Sequence, residues 1–294
     1  MRYAISGDSD FIQKIKASEF SGYVHSIFNR TVNIQSLENG ELYTVACQEI
    51  DNGPNTLVIQ VERFNTINLS VNDQVYTENN FLHIANKLTI AVDKAALWES
   101  ILPEYPQKVE ILNRNSTKMR DYIDHYGIGG GMKKSNHPTT PFEIELSRLL
   151  EERTGLLLTE LFNNRHSEAI EKASKLIGLG PGLTPSGDDF LVGLFTILNL
   201  PKSPTHPLKD FCLEVVKLAK PLTNEISYMA MQKASIGKVR ESIISLIHSI
   251  LYGTEEDLIL SLNKVLKIGS SSGTDIALGI LAGLEANKIA GGKV

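Results

Sequence analysis

Three aspartates, Asp188, Asp189 and Asp275, stand just inside two segments that read alike, and they are the side chains best placed to do chemistry. Positions 186–198 run Ser-Gly-Asp-Asp-Phe-Leu-Val-Gly-Leu-Phe-Thr-Ile-Leu, and positions 272–284 run Ser-Gly-Thr-Asp-Ile-Ala-Leu-Gly-Ile-Leu-Ala-Gly-Leu. Ser186 matches Ser272, Gly187 matches Gly273, Asp189 matches Asp275, and Gly193 matches Gly279. A serine followed three residues on by a carboxylate, ahead of an apolar run, is a helix-start signal. Ser186 then caps the helix and Asp189 closes a capping box. Almost no polar face follows either start, so both helices are expected to be buried. A glycine inside a helix costs about 1 kcal/mol against alanine. Gly193 and Gly279 at one offset therefore predict a close helix–helix approach, which sets the two starts side by side.

Two such starts allow more than one chemistry. Helix N-termini carry unpaired N–H groups and partial positive charge, so they attract anions. Thr184, Ser186, Ser271, Ser272 and Thr274 add hydroxyls, and Gly180, Gly182, Gly187 and Gly273 let backbone approach a ligand. If Asp189 and Asp275 cap their own helices, the site stays free for phosphate or another small oxyanion. If they turn into a shared cavity with Asp188, the set suits Mg²⁺, which prefers carboxylate oxygens, and a Mg-dependent hydrolase follows. The plain alternative is a pair of well-capped core helices. Positions 179–185 hold two glycines and two prolines, which constrain the backbone path into the first copy. Thr223-Asn224-Glu225-Ile226-Ser227 offers a third hydroxyl-rich start, with Thr223 as cap and Ser227 on the first turn. His25 sits in a strand pattern with no partner visible in the sequence. Lys133, Lys238 and Arg240 are the cations that could reach an anion. The run 127–131, Gly-Ile-Gly-Gly-Gly, lacks dinucleotide or P-loop spacing and reads as a flexible linker or lid.

The elements that must position these residues fall into two textures. Alternating Val, Ile, Thr and Tyr mark short strands at 22–28, 42–50, 56–62, 67–71 and 87–92, after an expected helix at 10–18. Asn39-Gly40, Asn72-Asp73 and Asn79-Asn80 punctuate them as turns. This predicts a small β-barrel or sandwich. Beyond about 115 helix patterns dominate. Thr140-Pro141-Phe142-Glu143 starts a helix to 162, and others are expected at 167–177, 208–220, 224–234, 238–251 and 255–266, the last capped by Thr254. The chain is thus read as α+β, with a β-rich domain at 1–110, a helical domain at 111–294, and a joint somewhere in 95–140.

Composition removes several classes. With 42% hydrophobic and 21% charged residues, the 294-residue chain can bury a sizeable core. A net charge of −5 and no Lys/Arg cluster argue against nucleic acid. Cys47 and Cys212 stand alone, so no disulfide framework is expected. No zinc-ligand histidine spacing, nucleophile elbow, signal peptide or apolar run of about 20 residues is present. A cytoplasmic protein without membrane contact is expected.

The run from Gly178 to Leu191, Gly-Leu-Gly-Pro-Gly-Leu-Thr-Pro-Ser-Gly-Asp-Asp-Phe-Leu, resembles the AllH-type subunit family of oxamate carbamoyltransferase. Positions 22–28, Gly-Tyr-Val-His-Ser-Ile-Phe, and 271–275, Ser-Ser-Gly-Thr-Asp, support the resemblance. It implies a component of an enzyme in anaerobic allantoin catabolism that interconverts oxalurate plus phosphate with oxamate plus carbamoyl phosphate. It also implies AllF-type (FdrA-like) and AllG-type partner subunits. Neither motif contains Arg or Lys, although phosphate sites usually recruit them. Over a short stretch, Ser272-Gly273-Thr274-Asp275 is also similar to ADP-ribosylglycohydrolases, which is the hydrolase alternative. A non-catalytic assembly subunit that senses a metabolite is the third reading.

Overall fold

The computed structural model describes residues 1–135 and 140–292, which divide into two compact units, Met1–Ser100 and Ile101–Val294. The first is an eight-stranded barrel. In chain order its elements are β1 (Arg2–Asp8), α1 (Ser9–Lys16), β2 (Ser21–Ile27), β3 (Thr31–Ser36), β4 (Leu42–Cys47), β5 (Thr56–Ile59), β6 (Gln74–Glu78), β7 (Phe81–Ile84) and β8 (Leu88–Ala91). The sheet runs β5-β4-β3-β2-β6-β7-β8-β1, and antiparallel pairing of β1 with β5 closes it. A short β9 (Ala96–Trp98) continues alongside β1 where β8 leaves it. Closure removes the open edges that would invite pairing with another chain. Asp8 caps α1 by accepting from the Asp10 and Phe11 N–H groups. This holds Phe11, Ile12 and Ile15 in the barrel core, with Phe20 and Tyr43 packed on the Phe11 ring.

Two barrel expectations need correcting. Positions 67–71 form no strand: they follow a tight turn at Phe64–Thr66, and Ile67 and Leu69 pack on the core without ladder partners. Alternate inward packing mimics a strand in sequence, but here the backbone folds back locally, with Ser70 N–H bonded to the Asp73 carboxylate. The barrel also begins before position 22, at β1. The Asn79-Asn80 turn behaves as read. Both residues have positive φ, 51° and 67°, which a tight hairpin between β6 and β7 requires.

The second unit is helical: α2 (Glu110–Tyr126), α3 (Pro141–Phe162), α4 (His166–Ser174), α5 (Ser186–Leu198), α6 (Lys209–Ala219), α7 (Glu225–Ala234), α8 (Glu241–Tyr252), α9 (Glu255–Leu266) and α10 (Ser272–Ala290). Thr140 caps α3 through Glu143 N–H, with Pro141 in the first turn, and Thr254 and Asp257 make a full capping box on α9. α2 occupies a stretch expected to be a joint. Its periodicity is hidden because part of its buried face is polar. Asn115 is buried, and its side chain donates to the Ser249 and Gly253 carbonyls at 3.0 Å each, finishing the C-terminus of α8. Every residue of α5 is buried, and α10 is its most extensive neighbour. The matched segments therefore form the centre of the helical unit. No helix among the described residues is long and apolar enough to cross a membrane.

Candidate functional site

The two starts meet because α5 and α10 approach more closely than side chains would allow. A Cβ built on Gly193 would stand 2.1 Å from the Ile276 carbonyl oxygen, and one on Gly279 would stand 2.0 Å from the Phe190 carbonyl oxygen. Each glycine thus lies over the residue that follows the other helix's aspartate. A second reciprocal pair seats each start against the chain before it. A Cβ on Gly187 would fall 2.0 Å from the Leu176 carbonyl oxygen, and one on Gly273 would fall 1.9 Å from that of Val265. Gly187 N–H donates to Leu179 O at 2.9 Å, and Gly273 N–H donates to Ile268 O at 3.0 Å. The sequence repeat is therefore a spatial repeat, with the two copies facing one another.

The serines do not cap. Pro185 holds the N-cap position of α5, and its carbonyl accepts from Asp188 N–H at 3.0 Å and Asp189 N–H at 3.1 Å. Ser271 holds that position in α10, and its carbonyl accepts from Asp275 N–H at 3.0 Å. Neither helix has a side-chain cap bond, so the expected capping box of Ser186 and Asp189 is absent. Each helix begins at the serine itself, which frees that side chain to cross to the other copy. Ser186 lies beside Asp275, and Ser272 lies beside Asp189 and 2.9 Å from the Thr184 hydroxyl. The positive φ values of Gly180 (133°) and Gly182 (93°) shape the loop that brings Thr184 here.

Asp189 is 5% exposed, Asp275 0% and Ser186 1%, yet Asp189 Oδ2, Asp275 Oδ2 and Ser186 Oγ have no hydrogen-bond partner. Buried polar atoms are rarely left this way. Burial pushes the Asp189 carboxyl up to about 7. The Ser272 and Thr184 hydroxyls pull against it, while Asp275 and Asp188 add repulsion. Burial also pushes Asp275 up to about 6, opposed by Met132 N–H, which donates to Oδ1 at 2.7 Å. A helix N-terminus favours the charged carboxylate, but here desolvation outweighs it.

Asp188 has a different task. Its Oδ1 accepts from Gly178 N–H at 2.7 Å, and its Oδ2 accepts from the Thr223 hydroxyl at 2.5 Å and the Ser227 hydroxyl at 2.6 Å. Burial raises its pKa while those three donors oppose the rise. Thr223 was expected to cap α7. Asn224 does so instead, accepting from the Ile226 and Ser227 N–H groups, which leaves Thr223 and Ser227 to tie α7 to Asp188. The three aspartates do not gather as a magnesium site. Among the described residues, no three His, Cys, Asp or Glu side chains are grouped to hold a metal ion.

The glycine-rich run, expected to be a linker or lid, is a wall of this site. Ile128 N–H donates to Thr274 Oγ1 at 2.9 Å, and Met132 N–H holds Asp275. A Cβ on Gly131 would stand 2.4 Å from Asp275 Oδ2 and 2.6 Å from Ser186 Oγ, so only glycine lets this loop cover the pair. Lys133 anchors the loop by donating to the Ile123, Asp124 and Gly127 carbonyls at the C-terminus of α2. Its ammonium is thereby committed away from any anion. Arg240 stands at the N-cap of α8. His25 lies in β2 of the barrel unit, its Nδ1 3.1 Å from Ser26 Oγ, whereas the twin starts are built wholly from the helical unit.

Family comparison gives this geometry its context. The family described as oxamate carbamoyltransferase subunit AllH matches residues 176–284, a span that opens just before the Gly178 loop and takes in both Ser-Gly-x-Asp starts. The AllH family N-terminal domain matches residues 3–97, the barrel. The chain belongs to the AllH family. No solved structure matches it. The AllH match does not reach 127–132, the loop whose amides reach Thr274 and Asp275. Three glycines in a row were the only signal for that loop, and glycine runs signal flexible linkers as readily.

Proposed function

We propose that this AllH chain is the subunit that holds the carbamoyl-bearing substrate, at the paired starts of α5 and α10. Oxalurate, oxamate and carbamoyl phosphate, three of the four small anions of the proposed reaction, carry a –CO–NH₂ group. The observation that carries the reading is the set of three buried, unpartnered polar atoms on Asp189, Asp275 and Ser186. Groups this costly to bury mark a site when a ligand completes them. In the forward direction the carbamoyl carbon–nitrogen bond of oxalurate breaks and a phosphate oxygen bonds that carbon. The proton from phosphate goes to the departing oxamate nitrogen. A carboxyl that titrates near neutrality, such as Asp189, is suited to carry that proton.

The first turns offer little to an oxyanion by themselves, because the Gly187, Asp188, Asp189, Gly273 and Asp275 N–H groups already have backbone acceptors. The anionic end of the ligand is then met by other subunits, of AllF and AllG type, and the pathway is anaerobic allantoin catabolism in the cytoplasm. The test is a thermal-shift titration of the chain with phosphate, carbamoyl phosphate, oxamate and oxalurate, with and without Mg²⁺. A ligand at 100 times its Kd adds about 2.7 kcal/mol of stability. A metal-free rise with the carbamoyl compounds, lost in Ser186→Ala/Ser272→Ala, is the expected result. A rise only with Mg²⁺, or none at all, rejects the assignment.

A further inference from the structure

We infer that the paired starts read the amide end of the ligand, selecting a neutral –CO–NH₂ group over a carboxylate or methyl group of the same shape. The inference rests on the proposed ligand site and specifies what that site recognises. A primary amide presents two N–H donors and one carbonyl acceptor. The site presents the complement: two carboxylate oxygens without donors, Asp189 Oδ2 and Asp275 Oδ2, and one hydroxyl without a partner, Ser186 Oγ. All three belong to side chains more than nine-tenths buried.

Their arrangement supports the same pairing. Asp275 Oδ2 and Ser186 Oγ both border Gly131, so an acceptor and a hydroxyl lie side by side in the site. Met132 N–H occupies the other oxygen of Asp275 and holds Oδ2 in place. A carboxylate in the amide's position would set negative oxygens against two aspartates. A methyl group would leave both buried oxygens as they are, still unpaired. Sites built to hydrogen-bond a donor discriminate strongly against analogues that lack it.

The experiment uses two pairs of near-isosteric probes on the full chain, read by isothermal titration and thermal shift. Oxamate is compared with oxalate, and carbamoyl phosphate with acetyl phosphate, the second pair holding charge constant. The expected result is at least about tenfold tighter binding of each amide. The same titration of Asp189→Asn/Asp275→Asn should bring each ratio close to one, because an asparagine amide turns either its oxygen or its NH₂ toward the ligand. Circular dichroism checks that this variant is folded. Oxalate or acetyl phosphate binding as tightly as its partner overturns the inference while leaving a ligand site in place. Preserved amide preference in the double variant also overturns it. No response to any of the four probes overturns the inference and the proposed site together.

Discussion

Replacing Asp189 with asparagine should stabilise the protein, and more so as the pH rises. Burial lifts the carboxyl from an ordinary 3.8 to about 7 in the folded chain, so folding favours the protonated acid. A folded-state pKa above the unfolded one means that the group is least costly below about pH 4. The cost grows as pH rises and levels off above about 7. Integrating between the two values, Asp189 costs the fold about 4 kcal/mol at pH 8 and about 2 kcal/mol at pH 5. Asparagine has nearly the same shape and does not titrate. The advantage of Asp189→Asn over the native chain should therefore widen by about 2–3 kcal/mol between those pH values. For a unit of this size that corresponds to roughly 5–10 °C in Tm. Thermal unfolding of both proteins at pH 5, 6, 7 and 8, at one ionic strength and without ligand, measures it. Asp275, raised to about 6 by burial, titrates in both proteins and acts in the same direction. A Tm difference that stays constant across this range would refute the reasoning, since only an Asp189 that titrates alike in the folded and unfolded chain predicts no slope.

Two further outcomes follow from the packing. Gly193→Ala places a methyl group 2.1 Å from the Ile276 carbonyl, and the overpacking should cost about 2–3 kcal/mol despite alanine's better helix propensity; an unchanged or higher midpoint in urea unfolding would show that the helices can separate without strain. Asp188→Ala strips the acceptor from Gly178 N–H, Thr223 and Ser227 and should cost about 3–5 kcal/mol, read by chemical denaturation; a loss below about 1 kcal/mol would mean that water replaces the carboxylate there.

Much of the candidate site could be read along the chain. The repeat of Ser-Gly-x-Asp with a glycine four residues on is a one-dimensional record of a two-fold contact. Glycine at one offset in two apolar helices has few uses besides close approach, and Gly193 and Gly279 are used in that way. Strand alternation from 22 to 92 and the Thr140 and Thr254 start signals were legible for the same reason, because local periodicity and capping depend on residues near in sequence. Positions 67–71 were not legible, because their alternating apolar residues imitate a strand while local turns fold the backbone back, and the polar-faced α2 was not, because the α8 carbonyls that its Asn115 meets lie far along the chain.

The direction of each polar side chain was decided only by the tertiary structure. In sequence, Ser186 reads as the cap of its own helix. In the fold, Pro185 supplies the N-cap carbonyl, the helix starts at the serine, and the side chain lies beside Asp275. Asp188 and Asp189 are adjacent and chemically identical, yet one gains three donors from Gly178, α7 and the turn before it, while the other keeps a buried oxygen unpaired. The sequence determined that two helix starts with carboxylates exist and that their helices touch. Which carboxylate is satisfied and which is left for a ligand depends on residues 35 to 143 positions away, such as Thr223 from Asp188 and Met132 from Asp275, and hydrogen bonds over such separations exist only once the chain has packed.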